Sequence, residues 1–154
     1  DNLQIVGITE INANDQLVKN TRVKTVTGAT ETTDNSYSRY EYDTNGNVTK
    51  VFRKNSVGDE FLMVVMTYDN NPSPFSKIRW AFSGRTSDGV VAWAESKNNP
   101  VSLKKYTTSG SLEDNYTVTY VYDKTNNLPL SSIWTNKLPN SSVTLGTVRY
   151  TFGY

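Results

Sequence analysis

Three tryptophans, Trp80, Trp93 and Trp134, stand in a chain that also holds ten tyrosines. Aromatic faces of this kind stack on the apolar faces of sugar rings, while neighbouring Asn and Thr side chains bind the hydroxyls. The candidate ligand-binding residues are Trp93, Trp134, Tyr40, Tyr120 and Tyr150. Strand alternation puts Trp93 on the face opposite Tyr40, Tyr120 and Tyr150, which exposes it, whereas Trp80 falls with Ile78 and Phe82 and reads as core. The competing reading is that large aromatics simply fill the inside of a curved sheet.

Other chemistry is harder to build. Glu41 and Glu95 are the only pair suggesting acid/base work in a trough, but glycosidases need two carboxylates at a set separation around a cleft. Most acids here sit in turns or loops, where solvation explains them. The run Asp43-Thr44-Asn45-Gly46-Asn47 places side-chain oxygens at alternate positions, like the opening of a calcium loop. Such a loop needs a bidentate Glu at its last position, and Lys54 stands there. The chain has no His and no Cys, which removes the commonest general base, the commonest metal ligand, thiol nucleophiles and disulfides. It shows no Gly-rich phosphate loop and no nucleophile elbow. No catalytic residue, metal or cofactor is assigned, and the chain reads as a non-enzyme.

The elements that position these residues are strands. Ser38 to Tyr42, Val64 to Tyr68, Val90 to Ala94, Val118 to Tyr122 and Val148 to Phe152 all alternate, with β-branched and aromatic residues on one side. Tyr116, Val118, Tyr120 and Tyr122 share a face, as do Val148, Tyr150, Phe152 and Tyr154. The aromatic side, with Tyr40, Tyr42, Met66, Tyr68, Trp80, Phe82, Tyr120, Tyr122, Tyr150 and Phe152, is expected to face inward.

Tyr-Asp pairs punctuate these strands at Tyr42-Asp43, Tyr68-Asp69 and Tyr122-Asp123, spaced 26 and then 54 residues apart, with a degenerate copy at Ala94-Glu95. Each is expected to end a strand and open a hairpin turn, with the ring in the packed face and the carboxylate capping the turn. Asp43 to Asn47, Asp69 to Asn71, Lys97 to Asn99 and Asp123 to Asn127 are the predicted turns. Asn47-Val48, Pro74-Phe75, Pro100-Val101 and Pro129-Leu130 start the returning strands. Loops at 27–36, 55–59, 83–89, 109–114 and 136–142 lie at the opposite end, and an opening hairpin joins Ile5–Ile11 to Gln16–Val26. The fold class is all-β: one domain over 1–154, a single curved antiparallel meander of about eleven strands, half-barrel or barrel-like.

The motifs over 40–48, 67–75 and 120–129 resemble the Tyr-Asp (YD) repeats of RHS-type proteins. With the Asn-Pro links between them they are more similar still to a family of small exported lipoproteins of gut-commensal diderm bacteria, carrying a domain of unknown function with a porin-like β-fold. The resemblance covers about residues 36–154 and departs from its pattern at Ala94-Glu95. It implies a single curved sheet, export by a lipoprotein signal, and a place in the periplasm or on the cell surface. It carries over no catalytic residue; in RHS-type proteins such repeats build shells and are linked to carbohydrate binding.

Bulk properties narrow the partners. Sixteen Lys+Arg against fifteen Asp+Glu give a net charge of +1, which provides no field to gather phosphate backbones, so nucleic acid is not an expected partner. No stretch reaches the roughly 18 apolar residues of a membrane helix. The alternating C-terminal strand mimics that of an outer-membrane barrel, but Arg39, Glu41, Lys50, Lys77, Arg79, Lys104 and Lys105 break any lipid-facing band. Membrane association is therefore expected only through a lipid anchor upstream of Asp1. The leading expectation is an exported binding or structural module taking a glycan at the concave face or an open end of the trough. The alternative is a lipid or lipoprotein carrier holding an acyl chain against the aromatic face. A third is a structural unit that pairs through its edge strands, 4–11 and 146–154.

Overall fold

The computed structural model describes residues 3–27, 30–75, 96–139 and 141–153. They form one antiparallel sheet of ten strands: β1 (Leu3–Ile11), β2 (Leu17–Thr27), β3 (Thr30–Thr33), β4 (Tyr37–Tyr42), β5 (Val48–Lys54), β6 (Phe61–Pro72), β7 (Asn98–Tyr106), β8 (Leu112–Tyr122), β9 (Pro129–Lys137) and β10 (Thr144–Thr151). The order is β1-β2-β4-β5-β6-β7-β8-β9-β10, with β3 set against β2 off this path. The sheet is open, since β1 and β10 end the path. The expected strand around Val90–Ala94, and with it Trp80, Trp93 and the Ala94-Glu95 copy, lies outside the described residues.

The hairpins follow from their turn residues. Asn12, Asp43 and Thr107 each donate their N–H to the carbonyl four residues on, at 3.0, 2.9 and 2.9 Å, and accept from the N–H three residues on. That third residue must take a left-handed backbone, and it is Asp15 (φ 57°), Gly46 (φ 87°) or Gly110 (φ 82°). The opening side chain supplies a second tie. Asn12 Oδ1 accepts from the N–H of Asn14 and Gln16, Asp43 Oδ1 from Asn45 and Asn47, and Thr107 Oγ1 from Ser111. The polar turn residues thus pair backbone groups that a tight reversal would strand.

The Tyr-Asp pairs share a second feature. Tyr42, Tyr68 and Tyr122 stand opposite Val48, Pro100 and Pro129, and the register slips by one residue just before each, at Glu41/Tyr42, Thr67/Tyr68 and Val121/Tyr122. A one-residue bulge shifts the alternation of the returning strand, so that residues three apart rather than two apart share a face across it. This explains why Val48 and Val51, three apart, are both fully buried opposite Tyr42 and Tyr40.

Several expectations need correction, among them the turn at Lys97 to Asn99: Asn98 and Asn99 already belong to β7, so this strand starts before Pro100. Tyr68-Asp69 does not end a strand: β6 runs on to Pro72, and Asn70-Asn71 lie inside it. Its partner strand is β7, some thirty residues later, and the chain that leaves at Ser73 returns at Lys97, where the Ser73 N–H donates to the Lys97 carbonyl at 2.7 Å. Pro74-Phe75 accordingly lies in a turn rather than opening a strand. The predicted loop at 27–36 also contains β3, because Thr30–Thr33 pair back onto Lys24–Thr27.

The core comprises Leu17, Tyr40, Val48, Val51, Val64, Met66 and Leu103, with Tyr42, Met63, Tyr68, Phe75, Tyr116, Trp134 and Phe152 packed against it. Its side chains share one face of the sheet, called here the core face. Val48 sits beyond the stretch where β6 pairs with β5, so the ladder leaves its backbone groups unmet. Side chains meet them instead. The Val48 N–H donates to Ser96 Oγ at 3.0 Å, Ser96 Oγ donates to Tyr68 Oη at 2.9 Å, and Tyr68 Oη donates to the Val48 carbonyl at 2.6 Å. Tyr42 and Tyr120 act alike, donating to the carbonyls of Leu17 and Pro100 at 2.8 and 3.0 Å. The opposite face is charged: Arg39 bonds both oxygens of Glu60 at 2.7 and 3.0 Å and Glu41 at 2.9 Å, above the Phe52 ring.

Candidate functional site

Of the five candidate residues, four are described, and the fold separates them. Tyr40, on β4, is 5% exposed within the core and has no surface to offer. Tyr120, on β8, stacks on Tyr122 with ring centroids 5.5 Å apart, and its hydroxyl is committed to Pro100. Burial raises the pKa of both rings' phenols, as it does for Tyr68, so these hydroxyls remain donors across the ordinary pH range. Trp134 and Tyr150 are different. They come together on β9 and β10, centroids 6.3 Å apart and planes at 82°.

Tyr116, which the sequence places on the same face as Tyr120, joins them. Its ring meets Trp134 edge-on at 6.1 Å and 67°. The register shows why. Val118, Trp134 and Val148 form one cross-strand row on the core face, Tyr120, Ser132 and Tyr150 the next, and Leu103, Tyr116 and Asn136 the one before. Alternation with period two puts all of these side chains on one side. The indole N–H of Trp134 donates to Ser132 Oγ at 3.2 Å, which fixes the ring. Asn136 Nδ2 donates to Asp114 Oδ1 at 2.8 Å. The Tyr116 phenol pKa is raised, first by burial and then by the Asp114 carboxylate.

Burial fades along this face towards the edge. Val118 is buried, Trp134 half-buried, and all of β10 is exposed, with Val148 at 50% and Tyr150 at 48%. The inward packing expected for Val148 and Tyr150 is therefore incomplete; only Phe152 reaches the core cluster. The physical reason is position: the last strand has a neighbour on one side only.

The same face continues towards the loop end through Lys105, opposite Val64 and Asp114. There Arg53, Phe61, Met63, Lys105, Tyr106 and Glu113 line an open depression of about 260 Å3. Lys105 Nζ lies 3.0 Å from Glu113, whose hydrogen bond is the main reason the ammonium pKa is raised. None of these six residues was singled out as a ligand contact from sequence. The available signal was the hairpin order, which sets the loops at 55–59 and 109–114 at one end of the sheet. No group of three or more His, Cys, Asp or Glu side chains that could hold a metal ion occurs among the described residues.

These features define the chain as an all-β protein built on a single open antiparallel sheet. No family model, curated protein or solved structure matches it.

Proposed function

We propose that this protein is a non-enzymatic binding module of the cell envelope, with a half-barrel curl, whose core face over β8–β10 takes a glycan. The observation that carries this reading is the Tyr116–Trp134–Tyr150 cluster, which crosses three adjacent cross-strand rows. Three aromatic rings in edge-to-face contact, Tyr116 and Trp134 half-buried and Tyr150 exposed, lie beside the half-buried Asn136 amide. A sugar ring needs this combination: an apolar platform with polar groups at its margin. The half-barrel reading is supported by the complete burial of Val48 and Val51 in a single-layer sheet with no helix among the described residues. A non-enzymatic role is supported by the lack of His and Cys and by the engagement of Glu41 and Glu60 with Arg39. The envelope location rests on the resemblance of the Tyr-Asp motifs, and fractionation of cells producing the full-length precursor tests it.

Calorimetric titration with a panel of neutral and acidic oligosaccharides tests the binding reading. At least one is expected to bind, with Tyr150→Ala and Trp134→Phe each weakening it severalfold. A panel that yields no binding, or a binder indifferent to both substitutions, would overturn it.

A second reading, a structural unit that pairs with its own copies, is favoured by β10. All eight residues of this end strand are exposed, and Arg149 is its only charge. Light scattering that finds only monomer over a wide concentration range would dispose of it.

A further inference from the structure

We infer that two copies of this chain pair through β10, antiparallel and with their core faces on the same side, about a two-fold axis at Val148. This deepens the self-pairing reading above and rests on it. β10 ends the sheet, and among the described residues no strand lies on its other side. The Phe152 N–H donates inward, to the Leu130 carbonyl at 3.0 Å. In an antiparallel ladder both backbone groups of one residue point to one side and those of the next residue to the other. Tyr150 and Val148 therefore bond β9, while the N–H and C=O of Thr147, Arg149 and Thr151 point outward with no ladder to receive them.

The two edges of the sheet differ. At the far edge, the pairing of β1 slips at Val6/Gly7 and again at Glu10/Ile11, and the strand carries the Glu10 charge. Irregularities and charges of this kind spoil an edge as a template. From Gly146 to Thr151, β10 has no such break. Its apolar side chains on the core face are open, Val148 at 50% and Tyr150 at 48%. A β10–β10 pair also closes on itself, whereas β10 against β1 would build an open filament.

The register follows from the strand's own residues. Ladder bonds form only where outward residues oppose outward residues, which restricts the axis to a residue position rather than a point between two. An axis at Arg149 sets the strand's only charge against its own copy, an unfavourable cross-strand pair. An axis at Tyr150 leaves only 149–151 overlapping within the strands, and one at Thr147 moves Arg149 onto Leu145, where β10 slips against β9. An axis at Val148 avoids all of these. Thr147 then exchanges both hydrogen bonds with the partner's Arg149, and symmetry repeats the pair. Tyr150 faces the partner's Gly146, where a side chain would meet nothing within 4 Å, so the aromatic ring has room to cover the glycine. Because Trp134 stands opposite Val148, the two Trp134 residues fall in one cross-strand row, three strand spacings or about 14 Å apart. The aromatic face of one copy thus runs into that of the other.

Because the chain has no Cys, one introduced cysteine reports the register. Val148 would meet its copy at a pair that the ladder does not bond, with Cα atoms about 4.5 Å apart, a separation a disulfide accepts. Under mild oxidation Val148→Cys is expected to form a covalent dimer at least about tenfold faster than Leu145→Cys, a comparably exposed site that this axis holds far from its copy. Thr147→Pro removes an outward N–H and spares the β9 ladder, so light scattering should shift from dimer to monomer while the thermal melt stays in place. Should that variant melt early, the two cysteine rates decide alone. Equal cross-linking rates, or a dimer that survives in folded Thr147→Pro, overturn this inference and leave self-pairing through another surface standing. Light scattering that finds only monomer in the unaltered chain removes both.

Discussion

Replacing Tyr68 by Phe removes one oxygen from a closed ring of three hydrogen bonds. The Tyr68 hydroxyl is the donor that meets the Val48 carbonyl at 2.6 Å, at a point where β6 does not pair with β5. Val48 is fully buried, which keeps bulk water from replacing the lost donor. A buried carbonyl stripped of its partner costs roughly 1–3 kcal/mol. Taking about 2 kcal/mol, and about 2–4 °C per kcal/mol for a chain of this size, the melting temperature should fall by roughly 4–8 °C. Tyr106→Phe is the control: it makes the same chemical change on a half-buried ring in the depression and should move stability by less than about 0.5 kcal/mol. Urea unfolding of both variants, followed by circular dichroism, supplies the comparison, with unchanged m-values confirming that only stability has changed. The reasoning is refuted if Tyr68→Phe is no more destabilised than Tyr106→Phe, because Val48 would then have another way to satisfy its carbonyl.

Further expectations follow from the same contacts. Burial raises the phenol pKa of Tyr68, Tyr120 and Tyr122, so the folded chain holds these protons more tightly than the unfolded one; stability should be full below about pH 10 and fall above it, tracked by phenolate absorbance against denaturant midpoint. On the acid side, Arg39 lowers the pKa of Glu41 and Glu60, so their contribution is present above the usual Glu range near pH 4.5 and is lost as pH falls through the depressed values; Arg39→Met should flatten that acid limb. Partial exposure of all three side chains keeps the effect to within about 1 kcal/mol. Gly46→Ala should cost about 1 kcal/mol, because φ is +87° and the new Cβ meets the Lys97 side chain at 3.0 Å, whereas Gly146→Ala has open space and should be near neutral in thermal melts. Asn99→Asp should destabilise by about 3 kcal/mol or more at neutral pH and less in acid, read by urea midpoints. It forfeits amide bonds to the Asn71 and Pro72 carbonyls and sets a buried carboxylate beside Asp69.

Local chemistry made much of the fold legible. Alternation over 116–122 and 148–152 marks strands because successive side chains must point to opposite faces, and the structure keeps those faces together. Asp43-Thr44-Asn45-Gly46-Asn47 marks a hairpin because Gly46 alone tolerates its backbone there without strain and Asp43 can tie two N–H groups. The same reasoning misread Tyr68-Asp69. Its residues match the turn pattern, but Asp69 Oδ1 accepts from the N–H of Asn71 and, across the sheet, of Asn99, while Asp69 Oδ2 accepts from Tyr122. Those partners lie 30 and 53 residues away and outweigh the local signal.

The candidate site was less legible than the strands. Sequence supplied an aromatic face with Tyr40, Tyr120 and Tyr150 on it, and named Trp134 beside them as a candidate without ranking the four. Only the order of strands in the sheet told them apart: Tyr40 lies among central strands and is sealed by neighbours on both sides, whereas Tyr150 lies on the last strand and keeps half its surface. That Arg53 and Lys105 line one depression was out of reach for a similar reason, because it depends on β6 pairing with β7 across the excursion between Pro72 and Asn98. What the sequence determined by itself was the class of element, the polar or apolar character of each face and the chemistry of the turns, all set by interactions a few residues long. Which residues are buried, which stay reachable and which charges converge was decided by register and strand order, because burial depends on neighbours that only the assembled sheet brings together.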